Sequence, residues 1–287
     1  MPISGRTPSV MADSVPWRPD ERLPSMTATT LASLGATTLV VLVVAAFAAG
    51  WIDAVVGGGG LIQLPVLLLV PGMETVQALA TNKLSSAMGT ATSSVTYYRR
   101  VRPGLGTALP TAAVAALGSA AGALSAASVP DGVLEPVILV ALVAVAAYTV
   151  LRPAVGGVTE LRFSGHRHTV IAALTGAVIG FYDGIAGPGT GAFLVFALVG
   201  LLGYAFLEAS ATAKIINLAT NLGALVVFAL DGSVLWALGL AMGLANLAGG
   251  YLGARTAVGA GSRFVRLVFL AVVGVLIVRL AWQLLQG

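Results

Sequence analysis

The amino-acid sequence predicts an all-α polytopic membrane protein, and three observations carry that prediction. The 287 residues are 57% hydrophobic and only 9% charged, with a mean hydropathy of +0.97. Soluble domains carry about 25% charged residues, so this chain lacks the side chains to cover a water-facing surface. Several apolar stretches approach the ~20 residues that cross a bilayer as a helix. Their runs, such as 39–49 and 137–147, are continuous and lack the period-two alternation of membrane strands.

Ten apolar segments follow one another along the chain, and eight are long enough to be full transmembrane helices. We place them at 31–52, 60–70, 76–98, 105–128, 133–151, 168–186, 190–203, 206–230, 233–254 and 264–285. The short segments at 60–70 and 190–203 each follow a glycine cluster that breaks the helix. Residues 1–30 are polar and rich in proline, which is typical of a disordered N-terminal tail.

Recurring motifs predict two homologous halves, transmembrane repeat 1 at 31–152 and transmembrane repeat 2 at 168–287. Three motif residues recur 130 or 131 positions later: Asp53 as Asp183, Lys83 as Lys214, and Gly118 as Gly249. The best interpretation of Gly118 and Gly249 is close helix packing through small residues.

Loop charges predict that the two repeats are inverted. The loop after the first lysine helix carries Arg99, Arg100 and Arg102, whereas the matching loop at 230–232 carries only an acidic residue. By the positive-inside rule these equivalent loops face opposite sides of the membrane, as in inverted-repeat transporters. The segment 153–167 is then a cytoplasmic connecting loop.

Lys83 and Lys214 are the strongest candidates for a functional site. Each lies inside an apolar segment, where a charged side chain costs about 3 kcal/mol on insertion scales. A single lysine could reach the interface with its long stem. Two lysines at matching repeat positions, each beside a glycine break, favour a buried site. An ammonium group there needs a negative partner, and a permeating anion is a natural one.

Glycine clusters and polar neighbours complete the predicted substrate site. Broken backbone at membrane depth exposes N–H groups at a helix N-terminus, which suits an anion. Polar side chains near the lysines add hydrogen-bond donors, and Lys214 shares one helix face with Asn217 and Asn221. The predicted substrate-binding residues are Gly57, Gly58, Gly59, Gly60, Thr81, Asn82, Lys83, Ser86, Gly187, Gly189, Thr190, Gly191, Lys214, Asn217 and Asn221.

Asp53 and Asp183 end the first helix of each half and admit three interpretations. They could pair with the lysines, carry a coupling proton, or cap the short helices. Neither catalytic residues nor a metal or other cofactor is expected. The chain contains no cysteine, and it offers no nucleophile–histidine pair or clustered ligands on neighbouring helices. The net charge of +4 fits basic loops rather than nucleic-acid binding.

At these motifs the sequence resembles the TauE/SafE family of sulfite and organosulfonate exporters, within the toluenesulfonate uptake permease superfamily. The resemblance covers about 35–285 and rests on the motifs at 50–62, 80–84, 180–191 and 211–217. It implies a bacterial inner-membrane transporter of small sulfur-containing or organic anions, in a family whose members differ in substrate and direction. The tail at 1–30 and Gln63, where the family often has a small or apolar residue, depart from the pattern.

The function expected is therefore transport of a small anion, such as sulfite or a sulfonate, by alternating access around the two lysines. Export of a monovalent anion needs no coupling ion when the cell interior is negative. An anion channel and a proton-coupled uptake permease for a carboxylate or sulfonate stay open as alternatives. Membrane lipid surrounds such a protein, and its oligomeric state is left open.

Overall fold

All secondary structure in the computed structural model, which describes residues 34–126, 151 and 156–286, is helical. The described helices are α1 Ala36–Val56, α2 Gly60–Leu68, α3 Thr75–Arg100, α4 Leu105–Ser125, α5 Gly165–Ile185, α6 Thr190–Phe196, α7 Phe206–Leu230 and α8 Trp236–Gln286. A π-helical turn at Ala197–Leu202 extends α6.

Most predicted segments appear as helices with shifted ends. The tail at 1–30 and nearly all of the segment at 133–151 lie outside the described residues. The segments 233–254 and 264–285, predicted as separate helices, both lie in α8, which consists of two helices that meet at a kink. Gly261 forms the kink, with the non-helical angles φ 77° and ψ −177°. The parts before and after Gly261 are each about 37 Å long, enough to cross ~30 Å of hydrocarbon.

Five of the described helices are long and apolar enough to span a membrane: α1, α4, α5, α7 and the greater part of α8. Helix α3 has 26 residues but is too polar to meet the same criterion. Its polar side chains are nevertheless buried, among them Thr81, Asn82, Lys83 and Ser85. The polar face of α3 therefore points into the bundle, because lipid cannot solvate polar side chains.

Glycines bring α4 against α5 and α8 against α1 in matching ways. A methyl group on Gly118 would lie 2.5 Å from the carbonyl oxygen of Ala177 in α5. A methyl group on Gly249 would lie 2.1 Å from the carbonyl oxygen of Phe47 in α1. Both pairs are therefore in backbone contact, as predicted for these glycines. The fourth helix of each half, which is α4 or the first part of α8, thus packs on the first helix of the other half.

The glycine breaks meet each other at the centre of the molecule. Gly57 ends α1 with φ 87°, and its N–H donates to the Asp53 carbonyl at 2.8 Å. A methyl group on Gly57 would lie 2.1 Å from the carbonyl carbon of Gly191 in α6. The Ala192 N–H donates to the Gly57 carbonyl at 3.0 Å. Only glycine allows both the left-handed turn and this backbone contact.

Basic residues gather at one end of the bundle. Arg99 and Arg255 line the same cavity between α3 and α8. The N-terminal turn of α7 hydrogen-bonds to Ser262, and segment 156–162 hydrogen-bonds to the turn that precedes α7. We term this end the basic face; it carries Arg99, Arg100, Arg162, Arg255 and Arg263.

The loop that matches the basic loop in the other half lies at the opposite end of α3. There the Leu235 N–H donates to Thr81 Oγ1 at 3.3 Å, which holds loop 231–235 beside the first turns of α3. The loop at 101–104 follows the last turn of the same helix. Loops from equivalent positions of the two halves therefore lie at opposite ends of the bundle.

Candidate functional site

Each buried lysine forms an ion pair with the aspartate of the other half. Lys83 Nζ lies 2.7 Å from Asp183 Oδ1, with the two side chains 1% and 2% exposed. Lys214 Nζ lies 2.8 Å from Asp53 Oδ2, with exposures of 0% and 14%. Of the roles considered for the aspartates, pairing with the lysines is the one these contacts display, and it links α3 to α5 and α7 to α1.

A small polar cavity of about 20 Å³ lies between the two ion pairs. It has room for about one water molecule. Most of the predicted site residues line it: Asp53, Gly57, Gly60, Asn82, Lys83, Ser86, Asp183, Gly187, Gly189, Thr190, Gly191, Asn217 and Asn221. Residues from both halves and from both glycine breaks thus meet around one space.

Four predicted residues lie outside the cavity lining. Lys214 is held beside the cavity through its pair with Asp53. Gly58 and Gly59 pack at the back of the break, where added methyl groups would meet Val272 and Asp53. Thr81 points away from the cavity and instead accepts the hydrogen bond from loop 231–235.

Backbone donors at the starts of the short helices are partly engaged within the protein. In α2 the N–H groups of Leu61, Ile62 and Gln63 donate to carbonyls of Gly58 and Gly59 at 3.0–3.2 Å. In α6 the Ala192 N–H donates across to the Gly57 carbonyl. Side-chain donors around the cavity are therefore more available to a ligand than the N–H groups at the helix N-termini, which the sequence analysis suggested as anion-binding groups.

Amide side chains contribute polar groups beside the lysines. Asn82 is buried, and its Oδ1 has no hydrogen-bond partner among the described residues. Asn221 Nδ2 lies 3.4 Å from Thr90 Oγ1, and Thr90 in turn donates to the Ser86 carbonyl at 2.6 Å. Asn217 Oδ1 lies 3.4 Å from the hydroxyl of Thr220. These groups can reorient to bind a guest that accepts hydrogen bonds.

The sequence analysis did not identify two residues that support the site, Ser119 and Tyr97. Ser119 Oγ lies 3.4 Å from Asp183 Oδ2 and donates to the Thr220 carbonyl at 2.8 Å. The Tyr97 hydroxyl donates to the Ala54 carbonyl at 2.9 Å, next to Asp53. A serine in the small-residue helix α4 gives no signal that distinguishes it. Tyr97 lies 14 residues beyond Lys83 and at a helix end, where tyrosine usually marks the membrane interface.

A further polar pair lies on one side of the site only. Asn246 Nδ2 donates to Gln63 Oε1 at 2.8 Å, and both side chains are buried. The matching positions in the other half are Phe193 and Ala115, which are apolar. Asn246 stood in the apolar run at 233–254, so a search for amides in such runs would have found it.

The paired charges make the closed site neutral. Taking each ion out of water costs several kcal/mol, which good pair geometry offsets. Removing one partner leaves an uncompensated charge in the bilayer interior. Among the described residues no group of three potential metal ligands occurs. The site therefore holds two cations, two anions and several amides around one cavity.

Buried charges on interrupted helices, within a bundle of apolar helices, define a multi-pass membrane protein of the transporter class. Residues 42–280 match the family described as "Sulfite exporter TauE/SafE", which covers most of the chain. The chain belongs to the TauE/SafE family, as its motifs predicted.

Similar proteins carry transporter names. "Probable membrane transporter protein ORF9" of Sinorhizobium sp is 39% identical over 242 residues, covering 84% of this chain and 92% of that protein. "Probable membrane transporter protein YfcA" of Escherichia coli K12 is 33% identical, covering 85% and 89%. A "Probable membrane transporter protein" of Haemophilus influenzae is 34% identical, covering 81% and 90%. No solved structure matches the chain.

Proposed function

We propose that this protein exports a small sulfur-containing or organic anion, such as sulfite or a sulfonate, across the bacterial inner membrane. The anion is carried by alternating access around Lys83 and Lys214. One observation carries the proposal: two buried lysines, each held by an aspartate of the other half, flank a single polar cavity. The family description and the transporter names of the relatives support the same function.

The chemistry of the site favours an anionic guest. An entering oxyanion takes the place of Asp183 or Asp53 as the partner of a lysine ammonium. Its remaining oxygens accept hydrogen bonds from the amides of Asn82, Asn217 and Asn221 around the cavity. Charge-assisted bonds of this kind are about twice as strong as neutral ones, which gives the guest an advantage over water.

The crossed pairs favour alternating access. Each ion pair joins one half to the other, so a guest that breaks a pair also loosens the contact between the halves. The matching glycine contacts and the opposed positions of equivalent loops support two inverted repeats around this site. A cavity for about one water is too small for sulfite, so the halves must separate before the anion enters.

The membrane potential favours export of an anion over its import. We infer that the basic face lies in the cytoplasm, by the positive-inside rule. Export then moves a negative charge out of a negative interior, which releases about 2.3 kcal/mol per 100 mV for each elementary charge. A proton-coupled uptake permease is the second candidate. It would use Asp53 as the proton carrier, because its side chain is more exposed than that of Asp183.

The deciding experiment compares single and paired substitutions by the uptake of radiolabelled sulfite into proteoliposomes. We expect Lys83→Met to lose both transport and thermal stability, because it leaves Asp183 charged and unpaired. We expect Lys83→Met/Asp183→Asn to recover stability, since removing both charges avoids the unpaired ion. The double variant should still not transport, because the ammonium that binds the anion is gone.

The control is Arg263→Met, which removes one positive charge from the exposed basic face and should transport normally. Transport by the stable double variant would show that the pair is only structural and would overturn the proposal. Unlabelled sulfite on the far side should accelerate uptake of the label, as a carrier requires. Uptake that does not respond to it would identify a channel.

A further inference from the structure

A second cavity, of about 490 Å³, lies between α3 and α8 near the basic face. Three arginines surround it: Arg99 and Arg100 from the last turn of α3, and Arg255 from α8. Thr92, Val95 and Tyr251 form other parts of its wall. The transport site does not account for this cavity, since none of its lining residues lines the space around Lys83.

The cavity opens on the outer side of the bundle. Lys83, Thr90 and Tyr97 lie on the buried side of α3. Residues 92, 95 and 99 follow one another at helical spacing and lie about half a turn away from that side. Val95 and Arg99 are exposed on the surface of the bundle. In a membrane-spanning bundle this surface contacts lipid, so the occupant of the cavity comes from the bilayer and not from the transport pathway.

The charge of the cavity is uncompensated within the described part of the chain. The ion pairs found there are those of Lys83 and Lys214, so the three cavity arginines have no carboxylate partner. Arg255 Nη1 donates to the Tyr251 hydroxyl at 3.0 Å, and its guanidinium lies 5.4 Å from the centre of that ring. Tyr251 therefore holds one arginine in place beside the others, which is an arrangement that suits a phosphate.

An apolar surface continues from the arginines toward the middle of the membrane. Helices α3 and α8 run parallel, because Leu84 packs on Gly239 and Met88 packs on Gly243. The exposed side chains of Leu244, Leu247 and Tyr251 share one side of α8 on the approach to Arg255. Cations thus occupy the end near the membrane surface, and apolar side chains occupy the deeper part.

We propose that this cavity binds an anionic phospholipid, with the phosphate headgroup on Arg99, Arg100 and Arg255 and an acyl chain along Val95 and the exposed leucines of α8. Basic pockets between transmembrane helices on the cytoplasmic side recognise such headgroups. The site joins α3, which carries Lys83, to α8. It requires only that the basic face lies at a membrane surface, whatever anion the central site transports.

The test is native mass spectrometry of the delipidated full-length protein with phosphatidylglycerol or phosphatidylcholine of identical acyl chains. We expect the wild type to retain phosphatidylglycerol preferentially. Arg255→Gln should weaken that retention about fivefold, the effect of one arginine near an anionic headgroup. Arg263→Gln is the matched control, because it removes the same charge from the basic face outside the cavity, and it should retain the lipid.

Val95→Trp tests the cavity without a change of charge, because an indole would fill the space for the acyl chain. It should also lose phosphatidylglycerol while it melts at the wild-type temperature in lipid-free detergent. Equal retention by the Arg255→Gln and Arg263→Gln variants would overturn the proposal. Stabilisation by inorganic phosphate equal to that by phosphatidylglycerol would assign the site to a free anion. A dimer that forms without lipid and is lost in Arg255→Gln would assign it to a second copy.

Discussion

The two ion pairs occupy matching positions in the two halves, yet their surroundings differ. Asp183 is 2% exposed, and Ser119 Oγ stands 3.4 Å from its second oxygen. Asp53 is 14% exposed, and the position that matches Ser119 is Gly250, which has no side chain to offer. Asp53 is therefore the more accessible of the two carboxylates, although both line the central cavity. We expect the Lys214–Asp53 pair to separate first when the halves move apart.

The largest loss of stability should come from neutralising one aspartate at a time. Asp183→Asn leaves the Lys83 ammonium buried without a counter-charge, which costs about 3–5 kcal/mol. Asp53→Asn should cost less, because position 53 is partly exposed and water can approach the buried Lys214 ammonium from that side. Thermal melting in detergent measures the difference. Equal melting temperatures for the two variants would show that the difference in exposure has no energetic consequence.

The two glycine breaks provide the second comparison. Gly57 and Gly187 both have left-handed backbone, with φ of 87° and 82°. A methyl group on Gly187 would lie 3.2 Å from Lys83 Nζ, at the end of a long side chain, whereas one on Gly57 would overlap the backbone of Gly191. Gly187→Ala should cost about 1–2 kcal/mol for the left-handed conformation alone.

Gly57→Ala should be more destabilising than Gly187→Ala, because the added methyl group would force the backbone at Gly57 away from α6. Urea or thermal melting of both variants in one detergent checks the order. Gly72→Ala is the control: this glycine has φ 78° but open space around its Cα, so its variant should show only the conformational cost. A Gly57→Ala variant no less stable than Gly72→Ala would contradict the close contact.

Much of this central architecture could be predicted from the sequence, because it depends on residue types that are unusual in membrane-spanning helices. Lysines in apolar runs and clustered glycines are costly in a membrane helix, so Lys83, Lys214 and the breaks near Gly57 and Gly187 stood out. The resemblance of their motifs to a known family agreed with the family match. Local rules of this kind need no knowledge of which helices are neighbours.

What the sequence did not reveal depends on tertiary contacts. Pairing of Lys83 with Asp183, rather than with Asp53 of its own half, is a side-chain contact between α3 and α5 at the central cavity. The role of Ser119 depends on the packing of α4 on α5. The position of the break within α8 depends on backbone geometry: its two helices meet at the single residue Gly261, whereas the sequence predicted a connection over 255–263.

A smaller loss of stability is expected at Gln63, where the two halves differ in sequence. Gln63→Met removes the acceptor of the Asn246 amide, so Asn246 Nδ2 becomes unpaired in place of Gln63 Nε2, and the loss should be that of one hydrogen bond, about 0.5–1.5 kcal/mol. Adding Asn246→Ala gives both positions the apolar character of Phe193 and Ala115 in the other half. The double variant should therefore melt above the single one. A double variant that melts at or below Gln63→Met would show that the hydrogen bond is not what the amides contribute.

The smallest effect should come from Ser119→Ala, which makes the surroundings of Asp183 resemble those of Asp53. The hydroxyl donates its one hydrogen mainly to the Thr220 carbonyl, so Asp183 receives little from it directly. We expect a loss of about 0.5–1.5 kcal/mol, as for one ordinary hydrogen bond. Ser125→Ala, in the same helix but exposed, should melt like the wild type. A loss as large as that of Asp183→Asn would mean that Ser119, and not Lys83, is the main partner that holds the carboxylate inside the bundle.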